Sequence, residues 1–149
     1  MATCISHSPA ETETLGETWG RAAQSGLVLG LCGDLGAGKT QLVKGLARGL
    51  GITARVHSPT FALVNIYTGG RLTLFHFDLY RLETREQILA AGLAEYLEPA
   101  GVTVIEWAER WFGEMRGPNQ PSELPKLLWV RFETLSETER RITYEDISA

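Results

Sequence analysis

Residues 33–40 read Gly33-Asp34-Leu35-Gly36-Ala37-Gly38-Lys39-Thr40, a glycine-rich run closing on Lys-Thr. They satisfy G-x-x-x-x-G-K-[ST], the P-loop pattern, in full. The flanks agree with it. Leu27-Val28-Leu29-Gly30-Leu31-Cys32 predicts a short buried strand, and Leu42, Val43, Leu46 and Leu50 recur at helical spacing. Strand, glycine-rich loop and helix in that order is the context the pattern requires. Gly33, Gly36 and Gly38 let the backbone turn tightly so that successive N–H groups point inward. Asp34, Leu35 and Ala37 then contribute main-chain donors rather than side chains. The start of the helix adds partial positive charge beneath bound phosphate. Lys39 is expected to reach the β- and γ-phosphates and the Thr40 hydroxyl to ligate Mg²⁺. Residues 33 to 41, ending at Gln41, are the candidate nucleotide-binding segment, and the chain is expected to bind a nucleoside triphosphate. The competing reading is a chance glycine-rich turn before a core helix.

Composition bounds what else the chain can be. Its 149 residues, 44% hydrophobic and 21% charged, suit one globular domain with a real core. No apolar run approaches a membrane span. The start, Met1-Ala2-Thr3-Cys4-Ile5-Ser6-His7, lacks the basic and apolar regions of a signal peptide. Cys4 and Cys32 have no metal-type spacing, which favours a cytoplasmic home. A net charge of −4 argues against a stand-alone DNA or RNA binder. Lys44 and Arg48, four apart on the helix after the loop, share one side, read here as a solvated face, with a protein or tRNA backbone as the alternative occupant.

Along the chain, residues 11–24 predict an amphipathic helix with Leu15, Trp19, Ala22 and Ala23 inward. After the loop helix, Phe61 to Tyr67 and Leu72 to Phe77 predict a hairpin joined at Thr68-Gly69-Gly70-Arg71. Leu82 to Leu97 is helical, interrupted at Gly92, and Val102-Thr103-Val104-Ile105 is a β-branched strand. Residues 113–125 form a Pro/Gly-rich loop. Leu127 to Phe132 and Arg140 to Tyr144 predict a closing antiparallel pair. The expected architecture is α/β, a three-layer P-loop NTPase sheet with a parallel core and some antiparallel strands, in a single domain over 1–149.

Two strands end in carboxylates. Leu72 to Asp78 has the look of a Walker B element, whose Asp helps to hold Mg²⁺, and Glu106 follows the 102–105 strand. Open α/β sheets place ligands at the carboxyl ends of their strands. If both run parallel to the loop strand, Asp78 and Glu106 converge on the metal and the γ-phosphate. One would ligate Mg²⁺ and the other orient or deprotonate water, and the residues alone do not assign which. Ser58-Pro59-Thr60 is either a switch segment sensing the γ-phosphate or a Pro-led turn. His76 shares a strand face with Asp78 and is read as a packed, hydrogen-bonded histidine. Trp107 either shields the site or belongs to the core.

Taken in order, Gly33 to Thr40, Ser58-Pro59-Thr60-Phe61, His76-Phe77-Asp78-Leu79-Tyr80-Arg81-Leu82 and Ile105-Glu106-Trp107 resemble the TsaE (YjeE) family across about residues 12 to 112. The resemblance implies an ATPase needed for threonylcarbamoyladenosine formation beside the anticodon of tRNAs reading codons that begin with A. It implies ATP and Mg²⁺ as ligands and TsaB and TsaD as protein partners, with tRNA met indirectly or weakly. By match of position, Thr40 and Glu106 carry over as Mg²⁺ ligands and Asp78 as the Walker B carboxylate. Thr12 corresponds to an N-terminal threonine near the nucleotide, and Ser58 and Thr60 become switch candidates. Arg81 and Trp107 match positions near the site. Many members carry a second threonine where this chain has Gln41, a position expected to face away from the metal. Lys39, Asp78 and Glu106 are the expected catalytic residues, with slow hydrolysis alone because no arginine finger is evident. The alternatives are a small-molecule kinase, disfavoured by the lack of a convincing Arg-bearing lid around Arg131, Arg140 and Arg141, and a nucleotide-dependent binding module. The chain lacks the N-K-x-D motif of GTPases.

Overall fold

The structure, a computed structural model, describes residues 2–33, 38–57, 64–113 and 127–146. In chain order these form β1 (Ala2–Ser6), α1 (Pro9–Ala22), β2 (Val28–Gly33), α2 (Lys39–Gly49), β3 (Val64–Tyr67), β4 (Leu74–Asp78), α3 (Arg85–Ala90), a 3-10 turn (Leu93–Tyr96), β5 (Val102–Glu106), α4 (Glu109–Phe112), β6 (Leu127–Thr134) and β7 (Arg140–Asp146). The strands make one seven-stranded sheet in the order β1-β7-β6-β2-β5-β4-β3. Strands β6, β2, β5 and β4 run parallel, while β3 and β7 are antiparallel to their neighbours. The expected α/β sheet with a parallel core and antiparallel additions is therefore what forms.

The parallel centre follows from strand chemistry. Strands covered on both faces read as continuous apolar runs. Val28, Leu29, Leu31 and Cys32 of β2 and Val102, Val104 and Ile105 of β5 are all buried. Alternation then sorts side chains between two cores. Leu29, Leu31, Leu74, Val102, Val104 and Val130 pack beneath Leu42, Val43 and Leu46 of α2. Val28, Phe77, Ile105 and Trp129 face Ile88, Leu93 and Ala108 on the other side. On β4 the same rule gives Leu74, His76 and Asp78 the α2 side of the sheet. Among the described residues no helix is long and apolar enough to cross a membrane.

Several local details differ from the sequence reading. The first helix begins earlier, at Pro9, because Ser8 caps it by accepting from the Glu11 N–H (3.1 Å). Of the residues expected inward, Leu15, Trp19 and Ala23 pack on the core and Ala22 does not. Leu15 and Trp19 are half-buried and Ala22 is exposed, whereas Thr12, Gly16 and Gly20 are buried against α2. The N-terminal segment, given no structure from sequence, is the edge strand β1 paired with β7. Of the predicted 61–67 strand, residues 61–63 lie outside the described residues, and β3 begins at Val64.

The α1–α2 crossing is set by backbone proximity. A Cβ on Gly16 would meet the Leu42 carbonyl, and one on Gly45 the Glu13 carbonyl. Glycine is required where two backbones approach this closely. In an open helix, Gly→Ala is stabilising by up to about 1 kcal/mol. Gly45→Ala is expected to have the opposite sign here, destabilising by about 2 kcal/mol and lowering Tm by roughly 5 °C. A thermal melt that leaves Tm unchanged or raised would show that the helices are free to separate.

Candidate functional site

Strand β2 ends at Gly33 with φ +132°, and α2 is entered through Gly38 at φ +96°. A Cβ on Gly38 would meet nothing within 4 Å, so the constraint there is backbone conformation and not crowding. No side chain caps α2 at Gly38 and no acidic residue lies in its first turn, which leaves the positive end of the helix available to an anion. Asp34, Leu35, Gly36 and Ala37 of the loop, and Ser58 and Thr60 of the suggested switch, lie outside the described residues.

Lys39 is buried, with Nζ donating to the Gly33 carbonyl at 2.8 Å. It also lies 4.3 Å from the centroid of the Trp107 ring. Burial pulls its pKa below the usual lysine range, opposed by the nearby Glu106 and Glu109 carboxylates. The Thr40 hydroxyl donates to both oxygens of Glu106, at 3.1 Å each. Glu106 ends β5, is only 3% exposed and also meets Nε2 of the fully buried His76 at 2.6 Å.

Parallel register places Asp78 directly opposite Glu106 on the adjoining strand. The Asp78 carboxylate accepts the Tyr80 N–H at 3.0 Å. Burial raises its pKa, a shift resisted by the Tyr80 N–H and reinforced by the negative charge of Glu106. Just beyond β5, Trp107 has φ +59°, the left-handed region that a bulky residue rarely enters. The turn is held by Ala108 N–H to the Leu31 carbonyl (3.0 Å) and Leu79 N–H to the Glu106 carbonyl (3.1 Å). Tyr80 packs on the Trp107 ring at a centroid distance of 5.0 Å.

These groups share a cavity of about 380 Å³, within the usual range for small-molecule sites. Gly38, Lys39, Thr40, Gln41, Asp78, Glu106 and Trp107 line one part of it, and Thr12 lines another. Thr12 is buried, its hydroxyl 2.7 Å from that of Ser6. Gln41, the last residue of the candidate nucleotide-binding segment, is among the lining residues. Arg81 is exposed and is not one of them. Sequence reading did not anticipate Ser8, Pro9, Tyr80, Glu137, Thr138 or Arg140 in the wall, nor the link from His76 to Glu106. The β6–β7 turn carries no motif that announces it, whereas the shared strand face of His76 and Asp78 was a usable signal. The Lys44–Arg48 face is also altered: Arg48 bridges to Glu17 of α1 at 2.6 Å, so its charge is matched within the chain.

The hydroxyl and carboxylate oxygens of Thr40, Asp78 and Glu106 are hard donors suited to Mg²⁺. Among the described residues no group of three His, Cys, Asp or Glu could hold a metal by itself. Open to solvent, glycine-bounded and cation-bearing at one end, the cavity is suited to a phosphorylated ligand.

A parallel strand feeding a Gly-x-x-x-x-Gly-Lys-Thr loop and helix, with a carboxylate ending the neighbouring strand, defines a P-loop nucleotide-binding fold. The family model for "Threonylcarbamoyl adenosine biosynthesis protein TsaE" matches residues 6–142. A Treponema pallidum protein named tRNA threonylcarbamoyladenosine biosynthesis protein TsaE is 43% identical over 141 residues, covering 94% of this chain and 97% of that one. Its Bacillus subtilis namesake is 48% identical over 101 residues, covering 68% of this chain and 63% of that protein. The crystal structure of Bacillus subtilis YdiB superposes with a TM-score of 0.77 at 33% identity, covering 99% of this chain and 86% of that one. The chain belongs to the TsaE family.

The electrostatics make a prediction. Because burial raises the Asp78 pKa, the folded state keeps this proton to a higher pH than the unfolded chain does. Its effect on stability is therefore a loss as pH rises from the unfolded pKa, about 3.9, through the raised folded one. Asp78→Asn retains an acceptor for the Tyr80 N–H and lacks the charge. It is expected to melt above the wild type near neutral pH, with the gap closing in acid. Paired melts across that range check this, and a gap independent of pH would refute it.

Proposed function

We infer that the chain is an ATPase that binds ATP with Mg²⁺ and acts on a TsaB–TsaD complex during threonylcarbamoyladenosine formation on tRNA. The observation that carries this reading is the contact of Thr40 with Glu106 beside Lys39 in one cavity. It joins the start of the loop helix to the end of the adjacent parallel strand, where a metal-bound triphosphate would lie. The names of the relatives supply the tRNA modification, and the family resemblance supplies the partners.

On this reading Lys39 and the α2 N-terminus bind the phosphates, and Thr40 and Glu106 hold the metal. Bound Mg²⁺ supplies positive charge at the β- and γ-phosphates. The far part of the cavity, past Thr12 to Thr138 and Arg140, is left for the nucleoside. Asp78 is assigned to orient the attacking water and accept its proton. Arg140 is engaged by the carbonyls of Ser136 (2.7 Å) and Glu139 (3.0 Å). No arginine finger is evident in the sequence, which supports slow hydrolysis by the chain alone and acceleration by partners.

The decisive experiment is ATP turnover with and without purified TsaB–TsaD and tRNA. Stimulation is expected. Full-speed turnover alone, with no response to the partners, would overturn the partner-controlled reading. In the same assay Glu106→Gln is expected to lower turnover by about 100-fold, and Lys39→Ala to weaken ATP binding by at least roughly tenfold. Normal binding by Lys39→Ala would remove the nucleotide from this loop.

A further inference from the structure

His76 is fully buried in β4, yet nothing proposed above employs it. Its side chain lies on the sheet face that carries Asp78, one register step before the Asp78–Glu106 pair. Nε2 is 2.6 Å from Oε2 of Glu106, while Nδ1 is buried with no hydrogen-bond partner among the described residues. A carboxylate only accepts, so the imidazole proton in this contact is carried on Nε2. Leu74 and Val104 occupy the surrounding core, and an aliphatic side chain would satisfy that environment without leaving a polar atom unpaired. The hydrogen bond to Glu106 is what this imidazole supplies that an aliphatic chain would not.

The geometry also shows why the bond matters. The last torsion of a glutamate side chain is broad, so its carboxylate plane is weakly defined by covalent structure. The Thr40 hydroxyl does not define it either, being 3.1 Å from both oxygens. The short bond from His76 distinguishes them: it commits Oε2 and leaves Oε1 without a histidine partner. We propose that His76 is a positioning residue which fixes the orientation of the Glu106 carboxylate and thereby sets how tightly the Thr40–Glu106 pair holds Mg²⁺ with the nucleotide. This rests on the reading of Thr40 and Glu106 as metal ligands. It follows the general behaviour of ligands whose orientation is fixed by a hydrogen-bonded neighbour.

The test is the affinity for a non-hydrolysable ATP analogue, measured calorimetrically in Mg²⁺ and in EDTA. The ratio of the two dissociation constants is the gain due to magnesium. His76→Leu is expected to reduce that gain by about tenfold and to leave the EDTA affinity unchanged. In His76→Gln the longer amide can place an N–H where Nε2 stands, and the gain should return. In His76→Asn the amide is too short to do so, and the gain should stay low. The Gln and Asn variants carry the comparison if the Leu variant does not fold. A wild-type gain in His76→Leu or His76→Asn would overturn the proposal, as would equal losses in His76→Gln and His76→Asn, which indicate packing alone. Failure of the wild type to bind the analogue in either buffer would instead overturn the proposed function itself, and normal binding with no magnesium gain would remove the metal from the site.

Discussion

A carboxylate buried at the end of a central strand is expensive to leave unsatisfied, and Glu106 is such a group. The fold around it can be read as the means of satisfying it. Thr40 reaches it from the first turn of α2, His76 from β4, and Lys39 lies close enough for its charge to be felt. The two hydrogen-bond donors come from α2 and β4, so the β2–β5–β4 register and the height of α2 above the sheet must all be correct together. A one-residue slip of β4 against β5 would send His76 and Asp78 to the opposite face. The ladder that aligns Asp78 with Glu106 therefore also defines the cavity.

The height of α2 is controlled from the other side, by α1. Gly16 and Gly20 of α1 lie against Leu42, Leu46 and Gly49, and Gly45 lies against Glu13. This close packing fixes α1 against α2, so Thr12 lines the same cavity as Lys39 and Thr40. The ion pairs at the rim, Arg48 with Glu17 and with Glu13, are substantially solvent-exposed on the Arg48 side. Exposed pairs contribute little, so packing and not charge sets the crossing. Nucleotide-facing geometry thus depends on backbone contacts remote from the loop.

What was legible in the sequence follows the same division. Periodicity and turn chemistry are local, and they identified β2, α2, the β3–β4 hairpin, the β6–β7 pair and the strand-end positions of Asp78 and Glu106. The glycine face of α1 was missed because periodicity was sought in large apolar residues, whereas close helix packing selects small ones. β1 was missed because its burial is slight and its stability comes from pairing with β7. The place of Thr138 and Arg140 in the cavity wall depends on where an antiparallel hairpin ends in space, which no local pattern encodes. His76 was read as a packed, hydrogen-bonded histidine, and it is one. Its partner became visible only with the register of β4 against β5.

The features least favourable to stability are concentrated in this one place. Trp107 occupies left-handed backbone, Asp78 and Lys39 are both disfavoured in their charged forms by burial, and His76 keeps an unpaired nitrogen. A stretch selected for stability alone would carry glycine at 107 and an uncharged side chain at 78. Opposite charges buried near one another are suited to a ligand that carries both signs. On the proposed function, a triphosphate would supply anionic oxygens for Lys39, and its divalent ion positive charge for the carboxylates. Ligand binding then offsets penalties already present in the folded chain, so affinity and folded-state stability become coupled at this cavity. Such coupling provides a physical route by which nucleotide state can alter the rigidity of the β4 and β5 ends and of the Tyr80–Trp107 surface beside them.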